Sequence, residues 1–150
     1  MRHGSRAGAV LIAGAVLGAA SPPEPAVPHD LTVTVEGLRS QRGQVLVCLT
    51  TNPRAFPDCA KDARARKFAV PVGQAQTIVF AGLADGTYAV SLLHDENGNG
   101  KPDMALMMPK EGFGFSRNPA IRFGPPAFAR AAFAMGGAAR HETIRMRYMF

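Results

Sequence analysis

The residues best suited to chemistry in this chain lie in the segment HDENGNGKPD, residues 94–103. Asp95, Asn97 and Asn99 occupy alternate positions, a glycine follows, and Asp103 closes the run. Calcium in proteins is bound by about six to eight oxygen atoms from carboxylates, amides and backbone carbonyls, and a glycine permits the sharp turn that such a loop needs. The pattern therefore predicts a calcium site.

The ligand set can be assigned by comparison with the loop of an EF-hand, in which oxygen ligands also alternate along the chain. The predicted ligands are Asp95, Asn97, Asn99, the backbone carbonyl of Lys101, Asp103 and Glu111. Leu106 stands where the EF-hand has its bidentate glutamate, and no helical pattern flanks the segment. We therefore expect a calcium loop on a β-scaffold, with weak affinity because it has few carboxylates.

The same segment has a second interpretation that needs no ion. Asn97-Gly98 and Asn99-Gly100 are dipeptides that form tight turns unaided, and Asn and Asp side chains readily bond to their own backbone. Under either interpretation we expect His94 to lie at a strand end and to orient the loop rather than to bind metal.

Catalytic signatures are weak. Ser116 lies in GFSRN, which lacks the G-x-S-x-G pattern of a nucleophile elbow. His94 and His141 could join it with Asp95 or Asp103, but no spacing in the sequence favours that arrangement. The chain is predicted not to be an enzyme, with a hydrolase as the alternative.

The two cysteines, Cys48 and Cys59, are predicted to form a disulfide. The alternative is a pair of buried free thiols. A basic start, a short apolar stretch and small residues before position 21 are typical of a secretory signal peptide, and export would favour the disulfide.

The chain is accordingly divided into a signal peptide at residues 1–20, a Pro-rich leader at 21–30 and one domain at 31–150. The signal predicts a periplasmic or secreted protein; an uncleaved membrane anchor is the alternative reading of the apolar stretch. No transmembrane segment is expected after signal removal.

The net charge of +6 raises the question of a nucleic-acid partner. The densest basic group is KDARARK at residues 61–67, where Asp62 interrupts the run and no aromatic residue is interleaved. We therefore expect a solvated loop face and no nucleic acid, and the sequence leaves any protein or envelope partner unidentified.

Two-residue alternation and turn signals run through the chain, and helical periodicity is almost absent. These patterns predict an all-β sandwich of about seven strands. The predicted strands are LTVTVEGL (31–38), GQVLVCLT (43–50), KFAVPV (67–72), QTIVFAGL (76–83), GTYAVSLLHD (86–95), FARAAFAM (128–135) and ETIRMRYMF (142–150).

Residues 95–126 show no convincing strand or helix, yet they are rich in Gly, Pro and Phe. Aromatic side chains gain by burial, so we expect one long ordered loop rather than disorder. The phenylalanines expected to pack it against the sandwich are Phe113, Phe115, Phe123 and Phe128. A contact surface on this loop would involve Phe113, Phe115, Ser116 and Phe123.

The run GTYAVSLLHDENGNGKPD, followed by PKEGFGFSRN and GPPAF, resembles the exported bacterial proteins grouped as domain of unknown function 2141. The resemblance extends from Leu31 to the last strand. It implies an exported, immunoglobulin-like or transthyretin-like β-sandwich, and it implies no activity. The stretch 104–110, MALMMPK, departs from the more polar sequence of the family.

Three functions fit these observations. The first is an exported, non-catalytic module whose loop is ordered by weakly bound Ca²⁺ and forms a contact surface. The second is a small-molecule-binding protein or hydrolase that uses residues 109–128 as a pocket wall. The third is a structural envelope component without metal.

Overall fold

The protein is an all-β sandwich in a computed structural model that describes residues 4, 18, 20–105 and 108–150. The strands of the described chain are β1 (His29–Glu36), β2 (Gln44–Thr50), β3 (Arg66–Pro71), β4 (Thr77–Leu83), β5 (Gly86–Asp95), β6 (Met104–Ala105), β7 (Met108–Pro109), β8 (Gly112–Phe115), β9 (Phe133–Met135) and β10 (Arg140–Arg145). A 3₁₀ turn covers Val72–Gln74, and a single α-helical turn, α1, covers Phe128–Ala131. The predicted fold class is confirmed.

The first sheet has three strands in the order β10-β1-β4. The central strand β1 is antiparallel to β4 and parallel to β10, so the first and last strands of the fold are neighbours. Leu31, Val33 and Val35 of β1 are buried while the intervening residues are more exposed, because successive side chains of a strand point to opposite faces.

The second sheet has the order β3-β2-β5-β8, and β9 pairs with the start of β5. Its central strands are apolar on both faces, unlike β1. Val90 and Leu92 of β5 face the core between the sheets, whereas Leu93 belongs to the opposite, outer face. A sheet with two apolar faces must be covered on both sides.

The core between the sheets is a cluster of aliphatic and aromatic side chains from both layers. Its largest fully buried members are Phe80, Leu31, Leu49, Ile144, Val33, Val45, Val47, Val72 and Val90. A smaller cluster on the outer face of the second sheet contains Ala89, Phe113, Phe115 and Ala131, against which Phe56, Leu93, Ile121 and Phe128 pack.

Residues 95–126 were predicted to contain no strand, and this prediction is wrong. They include the β6–β7 hairpin and β8, which extends the second sheet by pairing with β5. Phe113, Phe115 and Phe128 pack as predicted, but Phe123 is 97 % exposed, so its predicted packing against the sandwich is also wrong.

Two predicted strands need correction near the end of the chain. The segment 128–135 begins with α1, and only Phe133–Met135 is a strand. The last strand lies at Arg140–Arg145 instead of 142–150.

The predicted signal peptide falls mostly outside the described residues. The leader is exposed and without regular structure at residues 21–28, and β1 begins at His29, two residues before the predicted domain start. All strands of the described chain lie between His29 and Arg145, so residues 21–150 contain the whole sandwich. Within the described residues, no helix has the length and apolar character needed to cross a bilayer.

Candidate functional site

The Asp/Asn loop, residues 95–103, begins where β5 ends and is closed by a buried carboxylate. Asp95 is fully buried; its Oδ2 accepts hydrogen bonds from Gln44 Nε2 and Gly100 N, both at 2.8 Å, and its Oδ1 accepts one from Asn99 N at 3.1 Å. Burial by itself raises the pKa of Asp95, but these hydrogen bonds outweigh it and hold the pKa below its ordinary value.

Gly43 lies directly beneath this loop. Its φ of +73° is in the left-handed region, and a Cβ there would overlap the backbone oxygen of Asp95. Only glycine allows the turn before β2 to approach the start of the loop this closely.

The side chains of Asn97 and Asn99 converge on Asp103. Their amide nitrogens donate to the Asp103 carboxylate at 2.5 and 3.0 Å. Their amide oxygens accept hydrogen bonds from the backbone, Asn97 Oδ1 from Asn99 N at 3.1 Å and Asn99 Oδ1 from Lys101 N at 3.0 Å. The predicted ligand side chains are therefore gathered by a hydrogen-bonded turn.

Glu111 reaches the same loop from the start of β8. Its Oε2 accepts a hydrogen bond from Asp103 N at 3.2 Å, and the residue is 5 % exposed. Burial, together with the nearby negative charges of Asp95 and Asp103, raises the pKa of Glu111 above its ordinary value. Glu111 thus lies against the loop that contains the other predicted ligands, and its role as a ligand stays a prediction.

The loop does not bring its acids into one tight group. Within the described residues, no three His, Cys, Asp or Glu side chains are close enough together to hold a metal ion. Oxygens of Asn97, Asn99 and the Lys101 carbonyl would have to complete any coordination sphere. Calcium binding by this loop stays a prediction.

His94 is a structural residue at the end of β5. It is fully buried, and its Nε2 lies 2.9 Å from the Arg42 carbonyl oxygen while its Nδ1 lies 2.7 Å from the Tyr148 hydroxyl. A carbonyl only accepts, so Nε2 carries the proton and the hydroxyl donates to Nδ1. The hydroxyl in turn accepts a hydrogen bond from Arg39 N at 3.1 Å.

The neighbouring Glu96 contacts the connection between β1 and β2. It forms ion pairs with Arg39 at 2.7 Å and Arg42 at 3.4 Å, and accepts a hydrogen bond from Ser40 Oγ at 3.0 Å. Together with His94 it ties the start of the loop to the connection between β1 and β2.

Ser116 is fully buried and holds the end of β8 in place. Its Oγ donates to the Ala131 carbonyl at 2.6 Å and accepts from Val90 N at 3.0 Å. It neither contacts the Asp/Asn loop nor faces a cavity, so the structure separates it from the predicted ligands.

A groove of about 310 Å³ crosses the outer face of the second sheet. Two rows of side chains, aligned by the pairing of β3, β2, β5 and β8, form its floor. The first row is Lys67, Cys48, Ser91 and Phe115. The second row is Leu46, Leu93 and Phe113.

Three segments form the walls of this groove. Pro57 and Asp58 border the first row, and residues 121–125 contribute Ile121, Gly124 and Pro125. The third wall continues from the Asp/Asn loop through Gly100, Pro102, Met104 and Pro109. The Asp/Asn loop therefore contributes Gly100 and Pro102 to the groove directly and leads into the rest of the third wall.

The Cys48–Cys59 disulfide, as predicted, links β2 to the segment that carries the first wall. Thr50 Oγ1 also donates to the Asp62 carboxylate at 2.7 Å, and Ser91 Oγ donates to the Pro57 carbonyl. The hydrogen bond from Thr50 lowers the pKa of Asp62. These bonds fix a segment that otherwise consists of turns.

Phe113 and Phe115, predicted as contact residues, line the groove, and so does part of the predicted wall at 109–128. No motif in the sequence marks the other groove residues, such as Leu46 and Lys67. One signal was present: VLVCLT of β2 and AVSLLHD of β5 are apolar on both faces, which requires a cover on the outer face. Nothing local in the sequence marks Lys67 or Gln44. The residues that lie next to them are known only once the register between the paired strands is known.

No curated protein and no solved structure matches this chain. The family described as "Uncharacterized protein conserved in bacteria (DUF2141)" matches residues 33–143, which include most of the sandwich, the Asp/Asn loop and the groove. The chain belongs to this DUF2141 family.

Proposed function

We propose that this chain is an exported, non-catalytic binding module that holds a small apolar molecule in the groove of the second sheet. The observation that carries the proposal is the groove itself, an apolar concavity on a sheet face. Ligand sites are typically concave, mostly apolar and supplied with a few polar groups, with volumes of about 300–1,000 Å³.

The groove has the size for a compact ligand. Its volume of about 310 Å³ corresponds to on the order of ten water molecules at roughly 30 Å³ each. Leu46, Leu93 and Phe113 offer apolar contact along the floor. Each 100 Å² of apolar surface removed from water there favours binding by about 2.5 kcal/mol before the costs of association.

The walls are held by the fold rather than left to form around a ligand. The disulfide fixes the first wall, Ser116 fixes the end of β8, and the Asp95 carboxylate fixes the start of the third wall. A site that is ordered before binding loses less conformational entropy when the ligand enters.

The contacts of the candidate catalytic groups support a non-catalytic role. Ser116 Oγ bonds to two backbone groups, and both ring nitrogens of His94 have structural partners. Neither residue lines the groove. A nucleophile needs a base within hydrogen-bond reach and an open path to substrate.

Export is supported by the disulfide, because such bonds persist in oxidising compartments. Cell fractionation tests it. The processed protein is expected in the periplasm or medium and should begin at Ser21, as N-terminal sequencing would establish. A full-length, reduced chain in the cytoplasm would contradict this part of the proposal.

Binding in the groove is tested with residues 21–150, oxidised, and the neutral fluorescent probe 1-naphthylamine, whose size of about ten non-hydrogen atoms matches the volume of the groove. Fluorescence should rise saturably on addition of protein. Leu46→Glu places a carboxylate in the floor and should abolish the rise. Val79→Glu is the matched control, since Val79 is 56 % exposed on β4 of the other sheet.

Both variants must first show native circular dichroism. If Leu46→Glu is folded and binds the probe as well as the unmodified protein, the groove is not the site. If the unmodified protein gives no saturable signal with this probe or with a panel of similar neutral compounds, the binding function itself is refuted.

A second candidate property is a weak calcium site in the Asp/Asn loop that orders the third wall. It is favoured by three carboxylates, those of Asp95, Asp103 and Glu111, that among the described residues form no ion pair with a basic side chain. Burial is the main cause of the raised pKa of Glu111, and a cation would relieve the repulsion from Asp95 and Asp103 that adds to it.

Calorimetric titration with CaCl₂ tests this property. The titration gives Kd, and at a calcium concentration ten times Kd the free energy of unfolding should rise by roughly 1.4 kcal/mol. Asp103→Asn should weaken that effect, whereas the control Asp85→Asn, on the exposed turn before β5, should not. Equal stability with calcium and with EDTA would leave only the turn interpretation.

A further inference from the structure

We infer that the ligand of the groove is a small amphiphilic anion, an apolar carboxylic acid whose head group pairs with Lys67. This inference rests on the proposed binding function and specifies its ligand class. It begins from the uneven distribution of polar groups among the residues that line the groove.

The described polar lining residues are Asp58, Lys67 and Ser91, and all three lie at one end. Lys67 and Ser91 are in the first floor row, on either side of Cys48. The second row is entirely apolar, as are the wall residues Pro102, Met104 and Pro109 at the opposite end. A molecule that fills the groove therefore needs one polar end and one apolar end.

The sign of the polar end follows from the donors and the charge at that end of the groove. Ser91 Oγ donates its proton to the Pro57 carbonyl, and the Asp58 carboxylate, one oxygen of which accepts a hydrogen bond from Ala60 N at 2.8 Å, has no proton to donate. Within the described residues, Lys67 has neither a hydrogen bond nor an ion pair from its ammonium group. Its three N–H groups are the donors available to a ligand.

The surrounding charge favours an anion as well. The segment 58–67 carries four basic residues, Lys61, Arg64, Arg66 and Lys67, against Asp58 and Asp62, so its formal charge is +4 − 2 = +2. The Asp62 carboxylate is engaged by Thr50. The excess of positive charge in this segment favours a carboxylate at this end of the groove.

The size of the groove selects among such anions. Space on the order of ten water molecules accommodates about ten non-hydrogen atoms. Octanoate has that size, and octanamide is its neutral isostere. The carboxylate would lie beside Lys67, and the chain would run over Leu46 and Leu93 towards Met104.

Calorimetry with octanoate, octanamide and octylamine on oxidised residues 21–150 tests the inference at pH 7. Octanoate should bind roughly fivefold more tightly than octanamide, and 0.5 M NaCl should narrow the difference because the pair is partly exposed. Lys67→Met should remove the preference. Lys110→Met, an equal charge change on an exposed residue outside the groove lining, should keep it.

The failures are distinguishable. Equal affinity for octanoate and octanamide, or a preference that survives Lys67→Met, overturns the assignment of the head group but leaves the groove a binding site. If octylamine binds most tightly, Asp58 is the residue that pairs with the head group, and the assignment to Lys67 is overturned as well. If none of the three binds while the neutral fluorescent probe does, the ligand class is wrong. If that probe fails too, the proposed function is wrong.

Discussion

Replacing Asp95 by alanine tests whether the Asp/Asn loop is held by its first carboxylate. The substitution removes the acceptor for Gln44 Nε2, Gly100 N and Asn99 N. Nothing in the exposed part of the loop can replace a fully buried carboxylate at this position. The start of the third groove wall therefore loses its anchor.

The expected loss can be worked out from these three hydrogen bonds. A hydrogen bond to a charged group contributes about 1.5–3 kcal/mol, but Asn99 and Gly100 are exposed and their amides regain water in the variant. Only the Gln44 bond counts in full, because Gln44 is the one donor residue of the three that is not exposed. The free energy of unfolding should fall by about 3 kcal/mol, and Tm by roughly 10 °C for a domain of this size.

Asp103→Ala provides the internal comparison. Its carboxylate accepts hydrogen bonds from the exposed side chains of Asn97 and Asn99, which water can satisfy equally well. The loss should stay below about 1 kcal/mol. Urea unfolding of oxidised residues 21–150 in EDTA measures both variants. The expected loss of unfolding free energy for Asp95→Ala is roughly 3 kcal/mol. A loss below about 0.5 kcal/mol, or equal losses for the two variants, would refute the reasoning.

The pH dependence of stability tests the role of Asp95 independently. The pKa of Asp95 is lowered in the folded state, so its contribution is fully present above the ordinary value of 3.8 and is lost as the pH falls through the folded pKa. Besides burial, the Asp95 charge raises the pKa of Glu111, so the comparison is made in a Glu111→Gln background. There the difference in unfolding free energy caused by Asp95→Ala should be constant from about pH 5 to 8 and shrink below about pH 4. A difference that grows on acidification would contradict this assignment.

Three further changes have defined outcomes in urea unfolding of residues 21–150. Tyr148→Phe leaves Nδ1 of buried His94 without a donor and should cost about 1–3 kcal/mol; an unchanged midpoint would count against the hydrogen-bonded pair. Replacing both Cys48 and Cys59 by alanine should cost about 3 kcal/mol, from loop closure over a separation of 11 residues, and a loss near zero would show that the bridge does not constrain the unfolded chain. Glu111→Gln should raise the free energy of unfolding near pH 7 by on the order of 0.5 kcal/mol and have no effect near pH 4. The reason is that the pKa of Glu111 is raised in the folded state, so the contribution of Glu111 to stability falls as the pH rises through that folded-state pKa. A destabilised variant at pH 7 would contradict this.

Local pattern was sufficient to predict the long strands. β5 occupies the predicted residues, Gly86–Asp95, because alternation and the preceding Asp-Gly turn are both local signals. β8 was missed because GFGF alternates glycine with phenylalanine and becomes a strand only by pairing with β5. The four residues of α1 are too few for helical periodicity to be visible, so they were assigned to a strand.

The Asp/Asn loop was predictable in composition but not in contacts. Its acceptor pattern is local, whereas Gln44 meets Asp95 only because β2 and β5 pair in a register that places these two residues opposite each other. The groove was harder to predict from the sequence, because its shape depends on that register, on the pairing of β8 with β5 and on the positions of three separate segments. Lys67 therefore looked like one member of a solvated basic run.

The parallel ladder between β1 and β10 has a consequence for how the protein is made. β1 is the middle strand of its sheet, yet one of its two neighbours is the last strand to leave the ribosome. Until then the edge of β1 has unpaired amides and carbonyls, and the layer that covers the core is incomplete. The first sheet therefore cannot be completed until Arg140–Arg145 has been synthesised, so folding of this layer has to follow translation of nearly the whole domain.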